Sequence, residues 1–167
     1  MISFAILAGG KSTRMGRDKA FLEVGGKRVI ERVIERVQPL TDDLFINTNT
    51  PAQYEQFRLR MEIDVYPGKA ALGGIFTAIH VARHPHVLVV ACDMPFLNSK
   101  LLRHLVDMAP VADVVIPLVS PPQPETLHAI YSKACLPVIE YRIKKSKKHL
   151  RHSTASPRPP LPHAILR

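Results

Sequence analysis

The chain opens with a short, largely apolar run, Ile2 to Ala8, that stops at the pair Gly9-Gly10. Similar runs recur and alternate with stretches of helical period. Lys27–Gln38 sets Val29, Val33, Ile34 and Val37 on one face at i, i+4, i+5 and i+8, which predicts an amphipathic helix. Leu44–Asn47 predicts a second strand. Pro51–Arg60 predicts a helix, with Pro51 in the first turn, where its missing N–H is not needed. Ile63–Val65 reads as a short strand, Gly73–Arg83 as a helix, and the β-branched run Val87–Ala91 as a buried strand. Asn98 suits the N-cap of a helix to about Met108. Val114–Ile116 and Leu127–Tyr131 predict strands, and Ala134–Lys144 a final helix. This β–α alternation predicts an α/β domain with a mostly parallel sheet. In such sheets ligands bind at the carboxyl ends of the strands.

At 167 residues the chain suits one domain with a real core. No apolar stretch is long enough to span a bilayer. The first apolar run is too short for a signal segment and lacks a basic flank. Its two cysteines, Cys92 and Cys135, have no metal-ligand spacing, so a reducing, cytoplasmic setting is expected. The net charge of +9 suggests a polyanion partner until its distribution is read. Eight of the 23 Lys and Arg residues lie from Arg142 onward, and no acid follows Glu140. Residues 1–141 hold 15 cations against 14 acids, so the body is not expected to bind nucleic acid.

The carboxyl ends of the predicted strands carry the candidate chemistry. Gly9 and Gly10 allow close backbone approach to a ligand, and successive N–H groups in such a turn form an anion-binding concavity. Lys11, Arg14, Arg17 and Lys19 add four cations, and Ser12 and Thr13 add hydroxyl donors. Arg14 can grip phosphate with its planar fork, and Lys19 can act as a point charge. The pattern is neither G-x-x-x-x-G-K-[ST] nor G-x-G-x-x-G. A strand delivering this loop points to a nucleoside triphosphate. Asn47 ends the second strand and suits either a base or ribose contact or a turn. Asp64 precedes Val-Tyr-Pro-Gly-Lys-Ala-Ala-Leu-Gly-Gly-Ile75, whose glycines suit close approach to a ligand. Asp93 ends a buried strand and is followed by Met-Pro. It suits an oxygen ligand for Mg²⁺, which is held by one or two carboxylates plus substrate phosphates, or a cap on the next turn. His128 suits an acceptor contact or a buried, hydrogen-bonded position. Cys92 and Cys135 suit packing rather than nucleophilic attack.

Leu7-Ala-Gly-Gly-Lys-Ser-Thr-Arg-Met-Gly-Arg-Asp-Lys19 resembles L-A-G-G-x-x-x-R-M-G-x-D-K, the signature of the molybdenum cofactor guanylyltransferase family. Tyr66-Pro-Gly-Lys-Ala-Ala-Leu-Gly-Gly-Ile75 resembles the family's P-G-x-G-x-L-G-G-I stretch, with Ala70-Ala71 where the family has Gly before Leu. Cys92-Asp-Met-Pro-Phe96 is similar to its C-D-x-P segment. Pro124–Tyr131 and Cys135–Glu140 also look like family segments, so the resemblance covers residues 2 to about 144.

The resemblance implies a three-layer Rossmann-like nucleotidyltransferase domain over residues 1–144. It implies that Leu7, Ala8, Gly9, Gly10, Lys19, Asn47, Asp64 and Asp93 bind the nucleotide, with Asp64 associated with guanine. It also implies that Asp93 holds Mg²⁺ and that Arg14, Lys19 and Asp93 are catalytic. The implied reaction moves GMP from GTP to molybdopterin, releasing pyrophosphate. The acceptor phosphate is already anionic, so positioning and charge neutralisation suffice. Transient contact with molybdoenzymes or cofactor carriers is a further expectation, and no membrane partner is expected. Alternatives are a transferase using CTP or a sugar phosphate, a GTP-binding homologue with impaired turnover, and a polyanion-binding module driven by the tail. Family members continue into an Asn-x-Asn-Thr-Pro-Glu segment on the acceptor side. Residues 145–167 here are instead basic and Pro-rich, with no acid and no periodic apolar face, as expected of a divergent, frame-shifted or truncated terminus. Such a tail is expected to be disordered or loosely docked, leaving the acceptor half incomplete.

Overall fold

A computed structural model describes residues 1–9, 18–120, 123–145 and 164–166. Strand β1 (Ser3–Leu7) leads into a two-stranded ribbon, β2 (Glu23–Val24) and β3 (Lys27–Arg28), and helix α1 (Val29–Val37). There follow β4 (Leu44–Asn47), β5 (Arg60–Glu62), α2 (Ala70–Val81), β6 (His86–Ala91) and α3 (Ser99–Met108). Then come β7 (Val114–Ile116), a second ribbon of β8 (Leu118–Ser120) and β9 (Gln123–Pro124), β10 (His128–Ser132), α4 (Leu136–Lys145) and β11 (Ala164–Leu166).

The central sheet has the order β11-β7-β10-β6-β1-β4-β5. All neighbouring pairs are parallel except the two made by β10, which runs antiparallel to β6 and β7. Alternate residues of β1 divide the core. Phe4 and Ile6 pack with Ile30 and Val33 of α1 and with Leu102 and Leu105 of α3. Ala5 packs on the opposite face with Phe45 and with Ile75, Ala78 and Ile79 of α2. The α4 residues Leu136 and Ile139 flank that second cluster. Helices therefore cover both faces, which gives three layers. Among the described residues, no helix is long and apolar enough to cross a membrane.

Several elements differ from the sequence expectation. The helix expected from Lys27 begins at Val29, because Lys27 and Arg28 pair with Val24 and Glu23. Gly25 and Gly26, at φ 57° and 73°, supply the left-handed turn that this tight hairpin needs. The helix expected over Pro51–Arg60 is instead two 3₁₀ turns, Pro51–Gln53 and Glu55–Phe57. A three-residue repeat puts Tyr54 and Phe57 on one side, and their rings cluster with Phe21 at 5.2 and 6.3 Å. The strand expected over Ile63–Val65 lies earlier, at Arg60–Glu62, because Glu62 pairs level with Asn47. Asp64 therefore falls beyond the sheet edge. Of the tail, Ala164–Leu166 pairs in parallel with Val114–Ile116. Residues 146–163 and Arg167 lie outside the described residues.

The amino edge of the sheet is tied by a buried carboxylate. Asp43, only 3% exposed, accepts from Ser3 Oγ at 2.6 Å, the Arg83 amide at 3.0 Å and Arg60 Nη2 at 2.9 Å. Arg60 also stacks over the Phe45 ring at 4.3 Å. Burial alone would push the Asp43 carboxyl up. The Ser3 and Arg83 hydrogen bonds and the charges of Arg60 and Arg83 outweigh it and hold the group below the usual carboxylate range.

Removing one partner of a buried ion pair leaves the other charge uncompensated. Asp43→Ala is expected to lower unfolding stability by about 3–5 kcal/mol in denaturant titration. Asp43 is depressed in the folded state, so its contribution is present above the unfolded value of about 3.9 and is lost as pH falls through the folded value. Acid unfolding followed by circular dichroism should show a smaller loss in this region for Asp43→Asn than for the unsubstituted protein.

Ala70 lies where the resembling pattern has Gly, and it adopts φ 49°. That left-handed conformation is strained for a residue with a Cβ. Ala70→Gly is expected to raise stability by about 1 kcal/mol, read as an increase in thermal midpoint.

Candidate active site

The ends of three parallel strands stand level. Leu7 pairs with Asn47 on one side and Ala91 on the other. The ladder continues one step, with Ala8 N–H donating to Asn47 O at 2.8 Å and Cys92 N–H to Leu7 O at 3.0 Å. The loops after β1, β4 and β6 therefore leave the same edge, where the parallel sheet is expected to bind ligands.

Leu7 and Ala8 are held in this ladder, and Gly9 is exposed at its rim with φ 152°. A Cβ on Gly9 would lie 3.8 Å from the Asn49 amide, so Gly9 lies beside the start of the segment after β4. Gly10 and Arg14, with Lys11, Ser12, Thr13 and Arg17, lie outside the described residues.

Lys19 and Asp93 meet across the edge, with Nζ 3.8 Å from Oδ2. Their side chains are 50% and 43% exposed, which leaves both accessible to a ligand. Lys19 opens a short 3₁₀ turn whose cap is Asp18. Asp18 accepts from the Ala20 amide at 3.0 Å and from the buried phenol of Tyr54 at 2.6 Å. Burial, followed by the bond to Asp18, pushes the Tyr54 phenol well above its usual range, so it stays a donor. Sequence reasoning missed Tyr54 and gave Asp18 no role of its own. The signals were Asp immediately before Lys19 and a lone Tyr in an otherwise polar stretch.

Asn47 is 4% exposed and donates through Nδ2 to Asp64 Oδ1 at 2.8 Å. Asn49 donates to Asp64 Oδ2 at 2.7 Å. Asn47 and Asp64 were expected separately, and the fold joins them. Asn49, also missed, completes the group. Two of the glycines expected to bring the next loop close to a ligand also have a packing role. A Cβ on Gly73 would lie 2.8 Å from Tyr66 O, and one on Gly74 3.1 Å from Leu7 Cδ1. These glycines let α2 pack against its own preceding loop and against β1.

Cys92, beside Asp93 in the chain, is buried. Burial, then the charges of Asp18 and Asp93, push its thiol up to about 12, so it is inert as a nucleophile. Burial also pushes the Cys135 thiol up. His128 is buried at the start of β10, opposite Val90, with Nε2 unpartnered among the described residues. Burial pushes its imidazole down against the opposing charge of Glu125, which favours the neutral form.

Among the described residues no group of three or more His, Cys, Asp or Glu side chains could hold a metal ion. The donor set that remains is a half-exposed carboxylate, Asp93, beside an open edge and a lysine. That set fits Mg²⁺, which takes one or two carboxylates and completes its shell with water and phosphate oxygens. Asp18 is held in place by the Ala20 amide and the Tyr54 phenol, whereas the half-exposed Asp93 carboxylate faces the open edge.

Known proteins resemble this chain in sequence and in fold. A "Probable molybdenum cofactor guanylyltransferase" of Clostridium perfringens is 37% identical over 149 residues, covering 89% of this chain and 74% of that one. A relative of the same name from Carboxydothermus hydrogenoformans is 37% identical over 139 residues, covering 83% and 70%. The crystal structure of molybdopterin-guanine dinucleotide biosynthesis protein A from Archaeoglobus fulgidus shares the fold. Its TM-score is 0.75 at 24% identity, over 99% of this chain and 82% of that one. The model of the MobA-like NTP transferase domain matches residues 4–158. That match spans most of the chain, and the chain therefore belongs to this MobA-like family of nucleotidyltransferases.

Proposed function

We propose that the protein transfers GMP from GTP to the terminal phosphate of molybdopterin, forming the guanine dinucleotide form of the molybdenum cofactor and pyrophosphate. The observation that carries this reading is the approach of Lys19 to Asp93 at the level edge of β1, β4 and β6. The names of the relatives support the acceptor and the base. Cys92 and Cys135 are free and buried, which suits a reducing compartment such as the cytoplasm.

An oxygen of the acceptor phosphate attacks the α-phosphorus of GTP. One P–O bond forms, the α–β P–O bond breaks, and its electron pair leaves with pyrophosphate. The nucleophile is already anionic, so no side chain need remove a proton. Held by Asp93, Mg²⁺ would supply charge neutralisation on the triphosphate. Lys19 neutralises charge that grows on the α-phosphate and the leaving group, and does so without reorganising in the step. Asp18 and Tyr54 fix the backbone from which Lys19 projects. Gly9 begins the loop that cradles the triphosphate, with Gly10 and Arg14 further along it.

The reading is tested by pyrophosphate release from Mg²⁺-GTP with and without molybdopterin. Release is expected only with the acceptor present. No GTP binding and no release would overturn the assignment, and faster release with CTP would overturn the choice of base. Asp93→Ala and Lys19→Ala are each expected to lower kcat by about 10²–10³-fold, the scale for removing a group that stabilises transition-state charge. Tyr54→Phe deletes one hydroxyl and leaves the aromatic cluster. It should lower kcat by roughly three- to tenfold, with Lys19 less firmly placed. Steady-state kinetics on the folded variant checks this, and an unchanged kcat would deny Tyr54 its positioning role.

A further inference from the structure

The cluster beside the phosphate loop has a definite hydrogen-bond polarity. Both oxygens of Asp64 are engaged by amide donors, Oδ1 by Asn47 Nδ2 and Oδ2 by Asn49 Nδ2. The Asp64 amide in turn donates to Asn49 Oδ1 at 3.2 Å. Asn49 and Asp64 are thus joined by two hydrogen bonds, and the carboxylate cannot rotate without breaking them. A carboxylate is an acceptor with about four lone-pair sites, so each oxygen keeps acceptor capacity after these bonds. The contact with Asp64 also fixes the Asn47 amide with its nitrogen toward the carboxylate. Its Oδ1 is left buried and without a partner among the described residues. The group offers acceptors in excess of donors, and it lies against the rim of the loop, where Gly9 meets the Asn49 amide.

We propose that Asn49 is a positioning residue for base selection. It holds Asp64 so that the carboxylate accepts two adjacent donors, the N1–H and N2–H of a guanine Watson–Crick edge. The inference rests on the reading that this edge binds a nucleoside triphosphate. Neither adenine nor cytosine has two adjacent donors on that edge, so each would set a lone pair against the carboxylate. Hypoxanthine keeps N1–H and lacks the 2-amino group, so inosine triphosphate isolates the second hydrogen bond.

The test compares GTP and ITP affinities in Mg²⁺ buffer by calorimetry, using the full chain. The unsubstituted protein is expected to bind GTP about ten- to a hundredfold more tightly than ITP, the range for a hydrogen bond to a charged group. Asn49→Ala should collapse that ratio to about threefold or less by weakening GTP far more than ITP. A merely structural Asn49 would weaken both ligands equally. Asn49→Asp keeps the shape, replaces the donor with an acceptor facing Asp64, and should collapse the ratio as well. It stands in should the alanine variant fail to fold. Asp64→Asn supplies an amide donor for the 2-oxo group of xanthine, and should gain at least about tenfold in XTP over GTP preference. Binding of GTP with an unchanged GTP/ITP ratio in both Asn49 variants would overturn the inference and leave nucleotide binding standing. Failure of the unsubstituted protein to bind either nucleotide would overturn the functional reading itself.

Discussion

The structure depends on one short strand buried on both faces. Every residue of β1 pairs with a partner strand, Phe4 to Leu7 with β4 and Ser3 to Leu7 with β6. Its side chains alternate between two helical layers. A strand in this position has no room for polar chemistry along its length. Buried polar groups need partners, so chemistry is driven to the strand ends. Because Leu7 stands level with Asn47 and Ala91, three loops emerge at one height. The candidate site is the geometric result of that register.

The two edges of the sheet then serve different ends. At the amino edge, Asp43 is satisfied by Ser3, Arg60 and the Arg83 backbone. These contacts join the first strand, the outer strand β5 and the segment after α2. At the carboxyl edge, Lys19 and Asp93 remain half-exposed and only loosely paired. Closed hydrogen bonding at one end and accessible charge at the other is the arrangement expected of a scaffold that must hold a site without filling it. The segment between β4 and β5 contributes to the carboxyl edge twice. Tyr54 reaches back to Asp18, and Asn49 reaches forward to Asp64.

Five strands of the central sheet, β1, β4, β6, β7 and β10, and all four α-helices were legible because their periodicities are set by burial. Val87–Ala91 could hardly be anything but a buried strand, and Asn98 does cap α3 through the Lys100 and Leu101 amides. The segment after Pro51 was not legible, since a 3₁₀ turn and a first helical turn share the same local composition. Tertiary burial of Tyr54 selected between them. The register of β5 was equally hidden, because Arg60-Met-Glu62 has no apolar alternation and takes its place from pairing with Phe45–Asn47. The glycines of α2 were visible, but whether they faced a ligand or their own chain was a question of distance.

The sequence by itself determined the chemical inventory and its approximate order. It placed a glycine-rich cationic loop after the first strand and acids or amides after later ones, since polar residues at the ends of apolar runs can be read directly. Tertiary structure decided which of those residues act together. Asn47 and Asp64 are 17 positions apart and share a hydrogen bond, and Lys19 and Asp93 meet from different strands. Asp18 gains a buried phenol as its partner. Such pairings follow from strand register and crossover geometry, which bring distant segments to one edge and leave no trace in local sequence.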